Sequence, residues 1–298
     1  MLSATQSFGS YSFIKKIDSS FNNTILEFNP VNSLSTSNCW IWLDANDLRQ
    51  SGSITTWNDK SGKGYHCTQS TSGNRPTVSF TNLLNKRPVL TFASASSQFL
   101  TGSNAFSVGT NSFYLFIVFK FNDSSSTFQG VFNKSLYGDK VGRIVAYKDN
   151  AGFMLALQDQ PENTLTPASF TLESFSNIDT TYNIYTYGCH RSNATTHYAI
   201  MSKNGTSLFN RSYTNLAANP LPNPYNIMVG AYNSATGNNV PITGSYLNGN
   251  IAEIIGYAPS SDMSASNIQR VEGYLAWKWG LQSKLPSNHT YYSSPPPA

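Results

Sequence analysis

The sequence predicts an all-β protein, a two-sheet antiparallel sandwich with one helix near its C-terminus, and three observations carry that expectation. Only 11% of its 298 residues are charged while 39% are hydrophobic and 13% aromatic, so polarity comes mainly from Ser, Thr and Asn. These short side chains compete for local backbone hydrogen bonds, which disfavours helix interiors and suits turns and solvated sheet faces. From Cys39 onward, β-branched and aromatic runs alternate with Gly, Asn, Ser and Pro clusters for about two hundred residues, the pattern of a sandwich or barrel. A helical apolar period stands out in one place, near 265–281.

Residues 1–35 show no sustained periodicity and read as an N-terminal arm or an added edge segment, ordered only against a partner. Strands are expected at Trp40–Leu43, Thr77–Phe80, Val89–Phe92, Ser112–Phe121, Arg143–Tyr147 and Phe153–Leu157. Later ones are expected at Tyr182–His190, Thr196–Ser202, Ser207–Arg211, Asn226–Tyr232 and Gly249–Tyr257. The apolar residues of Ser112–Phe121 are nearly continuous, so both faces should be covered. Tyr182–Tyr187 alternates and should be half buried. Asn204-Gly205 between two runs signals a hairpin turn, because both residues tolerate positive φ. In the helix, Ser264 is the N-cap and Gly280 the closing residue. Its apolar stripe of Ile268, Val271 and Leu275, widened by Tyr274 and Trp277, should dock on the sandwich. The domain is thus expected to run over 36–290, followed by an exposed, extended Pro-rich tail at 291–298.

Charge and cysteine content exclude several classes. A net charge of +4 without a Lys/Arg cluster gives no electrostatic footprint for nucleic acid. The start, MLSATQSFGSY, has neither a basic leader nor an apolar run, so signal-dependent secretion is not expected. The longest apolar run, Phe113–Phe121, is far short of a bilayer span. Cys39, Cys67 and Cys189 are odd in number and widely spaced, which suits buried free thiols rather than a disulfide framework or a zinc site.

Three stretches resemble the concanavalin A-like lectin/glucanase superfamily in its laminin-G-like branch, and together they bracket most of the chain. The first is Trp42-Leu43-Asp44-Ala45 followed by Trp57-Asn58-Asp59-Lys60-Ser61-Gly62-Lys63-Gly64, similar to the family's W-x-D-x-S-G-x-G turn. The second is Arg75-Pro76 with Arg87-Pro88-Val89-Leu90-Thr91-Phe92. The third runs from Gly249 to Tyr257 and on through Val271–Leu281, including Tyr274, Trp277, Trp279 and Gly280. The resemblance implies a jelly-roll sandwich. Physically, Gly62 and Gly64 supply positive φ while Asp59 and Ser61 bond loop amides, so the turn reads as a folding device. A calcium loop at Asp59 would need several converging oxygens.

Glu253 lies within an apolar strand, where a carboxylate must be hydrogen-bonded or paired; it reads as a buried anchor. Glucanases resembling this chain carry E-x-D-x-x-E on a strand, and this sequence offers a lone Glu253, so neither enzyme activity nor a cofactor is expected. A site at His190, His197 and Cys189 lacks a fourth ligand. Trp277 reads as a core anchor rather than a sugar platform, with Trp277→Ala expected to cost about 3–5 kcal/mol. Proteins that this chain resembles occur in large-virus and bacterial surface contexts. That implies a structural or assembly role, as a minor capsid or virion-surface component with other structural proteins or copies of itself as partners. The alternative is a lectin-like module that binds glycans through rim loops such as Tyr213–Asn233.

Overall fold

The structure, a computed structural model, describes residues 28–34, 38–103, 107, 109–125, 127–137, 143–149, 152–158, 173–175, 178–191, 196–214, 225–235 and 239–298. Most of the expected arm, residues 1–27, therefore lies outside the described residues, as does 215–224 of the expected rim stretch. Strands pair antiparallel throughout and build two sheets. One contains β1 (Cys39–Asp44), β2 (Gly52–Ser53), β5 (Thr77–Leu84), β6 (Arg87–Phe92), β8 (Phe113–Phe121), β13 (Asn183–His190), β14 (Thr196–Lys203), β15 (Thr206–Thr214) and β17 (Gly249–Tyr257). Its order is β15-β14-β13-β8-β17-β6-β5-β2, with β1 also paired to β17. The other contains β3 (Thr56–Trp57), β4 (Cys67–Thr68), β7 (Leu100–Thr101), β9 (Gln129–Lys134), β10 (Arg143–Asp149), β11 (Gly152–Gln158), β12 (Glu173–Phe175) and β16 (Met228–Val229).

The sheets meet through aromatic rings. Trp40 of β1 lies 5.9 Å from Phe113 of β8 and 6.2 Å from Phe132 of β9, bridging the two layers. On the opposite face of the first sheet sits the single described α-helix, α1 (Ala265–Trp279), capped by the Ser264 hydroxyl and closed by Gly280 at φ 71°. Its Glu272 accepts from Thr186 Oγ1 of β13 at 2.7 Å. The helix explains the continuous apolar run of β8, which is covered by the second sheet on one side and by α1 on the other. It also corrects the expectation for Tyr182–Tyr187: β13 is buried over seven of its eight residues, because α1 covers the face that alternation assigned to solvent. The β14–β15 hairpin turns at Asn204 and Gly205, both with positive φ. The three cysteines are free and buried, and burial pushes the Cys39 and Cys67 thiols up.

Two terminal segments depart from the sequence reading. Residues 28–34 do not stand off as an arm: Phe28 and Leu34 are buried, Pro30 O accepts from Tyr257 Oη at 3.0 Å, and Ser33 O accepts from Arg270 at 3.2 Å. The tail does not leave as a free extended end. Tyr291 O accepts from Trp277 Nε1 at 2.9 Å, Arg270 reaches Pro297 O and Ala298 O, and Pro296 is buried. Gly273 permits this return, since a Cβ there would stand 2.6 Å from Tyr291 Cβ. A proline-rich segment has few N–H groups for sheet pairing, so side-chain donors from α1 hold it through its carbonyls.

Candidate functional site

The W-x-D-x-S-G-x-G turn lies beneath β1. Asp59 Oδ1 accepts from the amides of Trp42 and Ser61, both at 2.9 Å, while Oδ2 accepts from Ser61 Oγ at 2.7 Å and the Tyr65 amide at 3.0 Å. Ser61 Oγ also contacts Trp40 O, Trp57 is buried in the core, and Gly62 and Gly64 take φ of 82° and 79°. Both carboxylate oxygens of Asp59 are thereby occupied by donors, which makes the turn a staple between loop and strand. Asp59→Asn is expected to turn an amide N–H toward two of those donors and lower stability by about 1–3 kcal/mol. Equilibrium urea unfolding reads this directly, and an unchanged midpoint would remove the staple from the account.

Glu253 of β17 has no exposed surface and four donors around it. Trp42 Nε1 (2.6 Å) and Tyr274 Oη (2.9 Å) reach Oε1, while Trp279 Nε1 (2.6 Å) and Lys278 Nζ (2.8 Å) reach Oε2. Antiparallel register places Asp44 of β1 directly opposite Glu253. Asp44 Oδ2 shares Lys278 at 2.8 Å and takes Lys60 at 2.9 Å, and Lys60 continues to Asp47 at 2.7 Å. The second carboxylate that the sequence did not locate is therefore Asp44, brought beside Glu253 across 209 residues by strand pairing.

The two carboxyls respond in opposite directions. Burial works to raise Asp44, but Lys278 and Lys60 outweigh it and hold the carboxyl below its ordinary value. Burial raises Glu253, with Asp44 adding to that and Lys278 opposing it. Its neighbours are nonetheless all donors, since indole N–H and ammonium groups cannot accept and Tyr274 Oη already accepts from Lys278 at 2.9 Å. These donors and the Lys278 ammonium favour the carboxylate and oppose the rise that burial imposes.

These residues back onto a half-open cavity of about 520 Å³. Trp42, Tyr274, Trp277 and Phe28 supply its aromatic wall, Asp44, Asn46, Lys60, Arg87 and Lys278 its polar wall, and Pro295 and Pro296 the side given by the tail. The two-residue turn at Asn85-Lys86 feeds Arg87 into place, where its Nε donates to Lys278 O at 3.0 Å. Lys60 lies 4.1 Å from the Trp42 ring centroid, a cation–π contact that fixes both side chains.

The sequence-predicted residues divide accordingly. Glu253, Tyr274, Trp277 and Trp279 converge near the cavity; Trp57, Asp59, Ser61, Gly62 and Gly64 form the staple behind it; Gly280 ends the helix. Trp277 is corrected: it is only half buried and lines the cavity, whereas Trp279 is fully buried and is the helix's core anchor. Trp42, Asp44, Lys60, Arg87 and Lys278 were not singled out as site residues. The available signal was an acid in each of two apolar strands, Asp44 and Glu253, which must share cations if both are buried. His190 meets Asp262 at 3.8 Å, and among the described residues no group of three or more His, Cys, Asp or Glu side chains is placed to hold a metal.

Acid stability follows from three depressed carboxyls. Burial acts against all of them, but Asp44 is held down by its lysines, Asp123 by Lys148, Ser125 and Asn248, and Asp179 by Thr181, Lys203 and Asn183. A folded value below the unfolded one means the unfolded chain binds more protons on acidification, so this stability is present above about pH 4 and is lost as pH falls further. Glu253, being raised, runs the other way and offsets part of the loss. Urea midpoints are expected to drop as pH falls below about 4 and to keep falling to about pH 2, and a flat profile would contradict the assignment.

No protein-family model matches the sequence, and no curated protein is similar to it. Solved structures are similar in fold. The botulinum neurotoxin serotype D binding domain aligns with a TM-score of 0.51 and 11% identity, over 82% of this chain and 52% of that one. A GH54 α-L-arabinofuranosidase, solved after soaking with 4-nitrophenyl α-L-arabinofuranoside, aligns at 0.51 with 12% identity, over 82% and 60%. The chain thus spans just over half of either structure, one a binding domain and the other an enzyme. No described helix is long and apolar enough to cross a membrane. What the chain shares with these proteins is a two-sheet antiparallel β-sandwich, in keeping with a concanavalin A-like fold.

Proposed function

We propose that the chain is a non-catalytic, lectin-like carbohydrate-binding module whose ligand seat is the cavity beside α1. The observation that carries this reading is the cavity's lining: four aromatic side chains against a polar wall, in a volume suited to a small ligand. Sugars present C–H faces that aromatic rings cover and hydroxyls that fixed polar groups orient. The non-catalytic part is supported by the two carboxylates. Glu253 is fully covered and does not reach the cavity, and Asp44 is held between two ammoniums, so neither is free to move a proton onto a bound sugar.

The sequence reading ranks an assembly role ahead of glycan recognition, and the cavity reverses that order. A virion-surface setting remains the place that the family resemblance suggests for such a module; retention at fixed copy number on salt-washed particles tests it. For the binding reading, a glycan array is the direct experiment. Wild-type protein is expected to bind a defined set above background. Trp277→Ala is expected to weaken that binding by about tenfold or more, the worth of one lost stacking ring, with little change in thermal midpoint. A blank array from folded protein would overturn the reading.

A further inference from the structure

The donor and acceptor inventory of the cavity is one-sided. Its side-chain acceptors are already engaged by the protein. Asn29 Oδ1 accepts from the amides of Val31 at 2.9 Å and Asn32 at 3.1 Å. Asn46 Oδ1 accepts from Arg87 Nη1 at 3.5 Å. Asp44 takes the Asn46 amide on one oxygen and both ammoniums on the other. Tyr274 Oη accepts from Lys278 and donates to Glu253. The groups left over are donors: among the described residues, Nδ2 of Asn29, Nδ2 of Asn46 and Nη2 of Arg87 have no partner, and Lys60 directs its bonds to Asp44 and Asp47 with one proton in hand.

The ion pairs leave one cation out. Lys60 and Lys278 are engaged by Asp44, Asp47 and Glu253, and Arg87, which brings these three cations and three carboxylates to neutrality, makes no ion pair with any described residue. A half-buried guanidinium with a free edge in a cavity whose carboxylate is already neutralised is a seat for an anion. A neutral sugar fits this wall less well, because each hydroxyl brings a proton that needs an acceptor and the side-chain acceptors of the wall already hold protein donors. A carboxylate or sulfate brings acceptors only.

We propose that the cavity selects an anionic glycan, a sugar bearing a carboxylate or a sulfate. Arg87 Nη2 and Lys60 meet the anion, the free amides of Asn29 and Asn46 meet ring and hydroxyl oxygens, and Trp277 covers the sugar face. This rests on the carbohydrate-binding reading and adds the ligand's charge to it.

Calorimetric titration of the full chain with three oligosaccharides of matched backbone, one neutral, one carrying uronic acid and one sulfated, separates the outcomes. Binding is expected for an anionic form, with affinity falling as salt rises, and is expected to be about tenfold or more weaker for the neutral form. Preference for the uronic acid or for the sulfated sugar identifies which anion the site takes, and either supports the proposal. Asn46→Asp keeps the acceptor that Arg87 uses but sets a carboxylate on the cavity wall. It is expected to weaken anionic binding by about tenfold or more while leaving the thermal midpoint near wild type. Equal, salt-independent binding of the neutral sugar, or Asn46→Asp binding unchanged, would overturn the anion preference and leave carbohydrate binding standing. No heat with any of the three would overturn both.

Discussion

Glu253→Ala is expected to destabilise the fold by about 3–5 kcal/mol, the cost of breaking a buried charge cluster and leaving its partners behind. The substitution strands two indole N–H groups, a tyrosine hydroxyl and part of the Lys278 ammonium around a position with no exposed surface. Glu253→Gln should cost less, because its carbonyl keeps one side satisfied while its amide faces Trp279 Nε1 and Lys278 with the wrong polarity. Lys278→Met tests the same cluster from the cation. It leaves Asp44 and Glu253 as opposed carboxylates on adjacent strands, and Glu253 is then expected to take up a proton at higher pH. Urea unfolding of the three single variants and the Glu253/Lys278 double variant measures the coupling. Additive losses would show that the ion pair is not the element that joins α1 to the sheet. The figure is a truncation cost and not the net worth of the pair, since a fully apolar replacement can be neutral.

The second large effect separates the two tryptophans of α1. Trp279→Ala should cost about 3–5 kcal/mol, as deletion of a fully buried ring leaves a cavity beneath the helix and removes one of the two donors to Glu253 Oε2. Trp277→Ala should cost less than about 1.5 kcal/mol, because that ring is partly solvated and its N–H tie to Tyr291 O is one ordinary hydrogen bond. The ordering is the diagnostic result: if Trp277 proves the costlier residue, the helix docks by a different face from the one described. Loss of sugar binding should show the reverse ordering per unit of stability lost, since Trp277 lines the cavity and Trp279 does not.

Strand pattern failed where polar residues are buried. β9, Gln-Gly-Val-Phe-Asn-Lys, was not expected as a strand, yet all six residues are buried. Its polar side chains find partners that are remote in sequence: Lys134 donates to Tyr225 O, and Gln129 accepts from the Asn248 amide. Period-two patterning detects exposure, not satisfied burial, so such a strand is invisible to it. In the other direction, Asn226–Tyr232 has the strand composition but pairs only over Met228–Val229.

The sequence by itself determined the fold class, the terminal helix with both of its caps, the Asn204-Gly205 turn and the buried thiols. Each rests on local chemistry: propensity, spacing, or the φ that a residue tolerates. Tertiary structure alone decided the site. Asp44 meets Glu253 only because β1 pairs with β17, Lys278 joins them only because α1 crosses that pair, and the tail forms a cavity wall only because Trp277 and Arg270 hold its carbonyls. Those contacts connect residues far apart in the chain, and nothing local in composition or period encodes which distant partner will satisfy a buried charge.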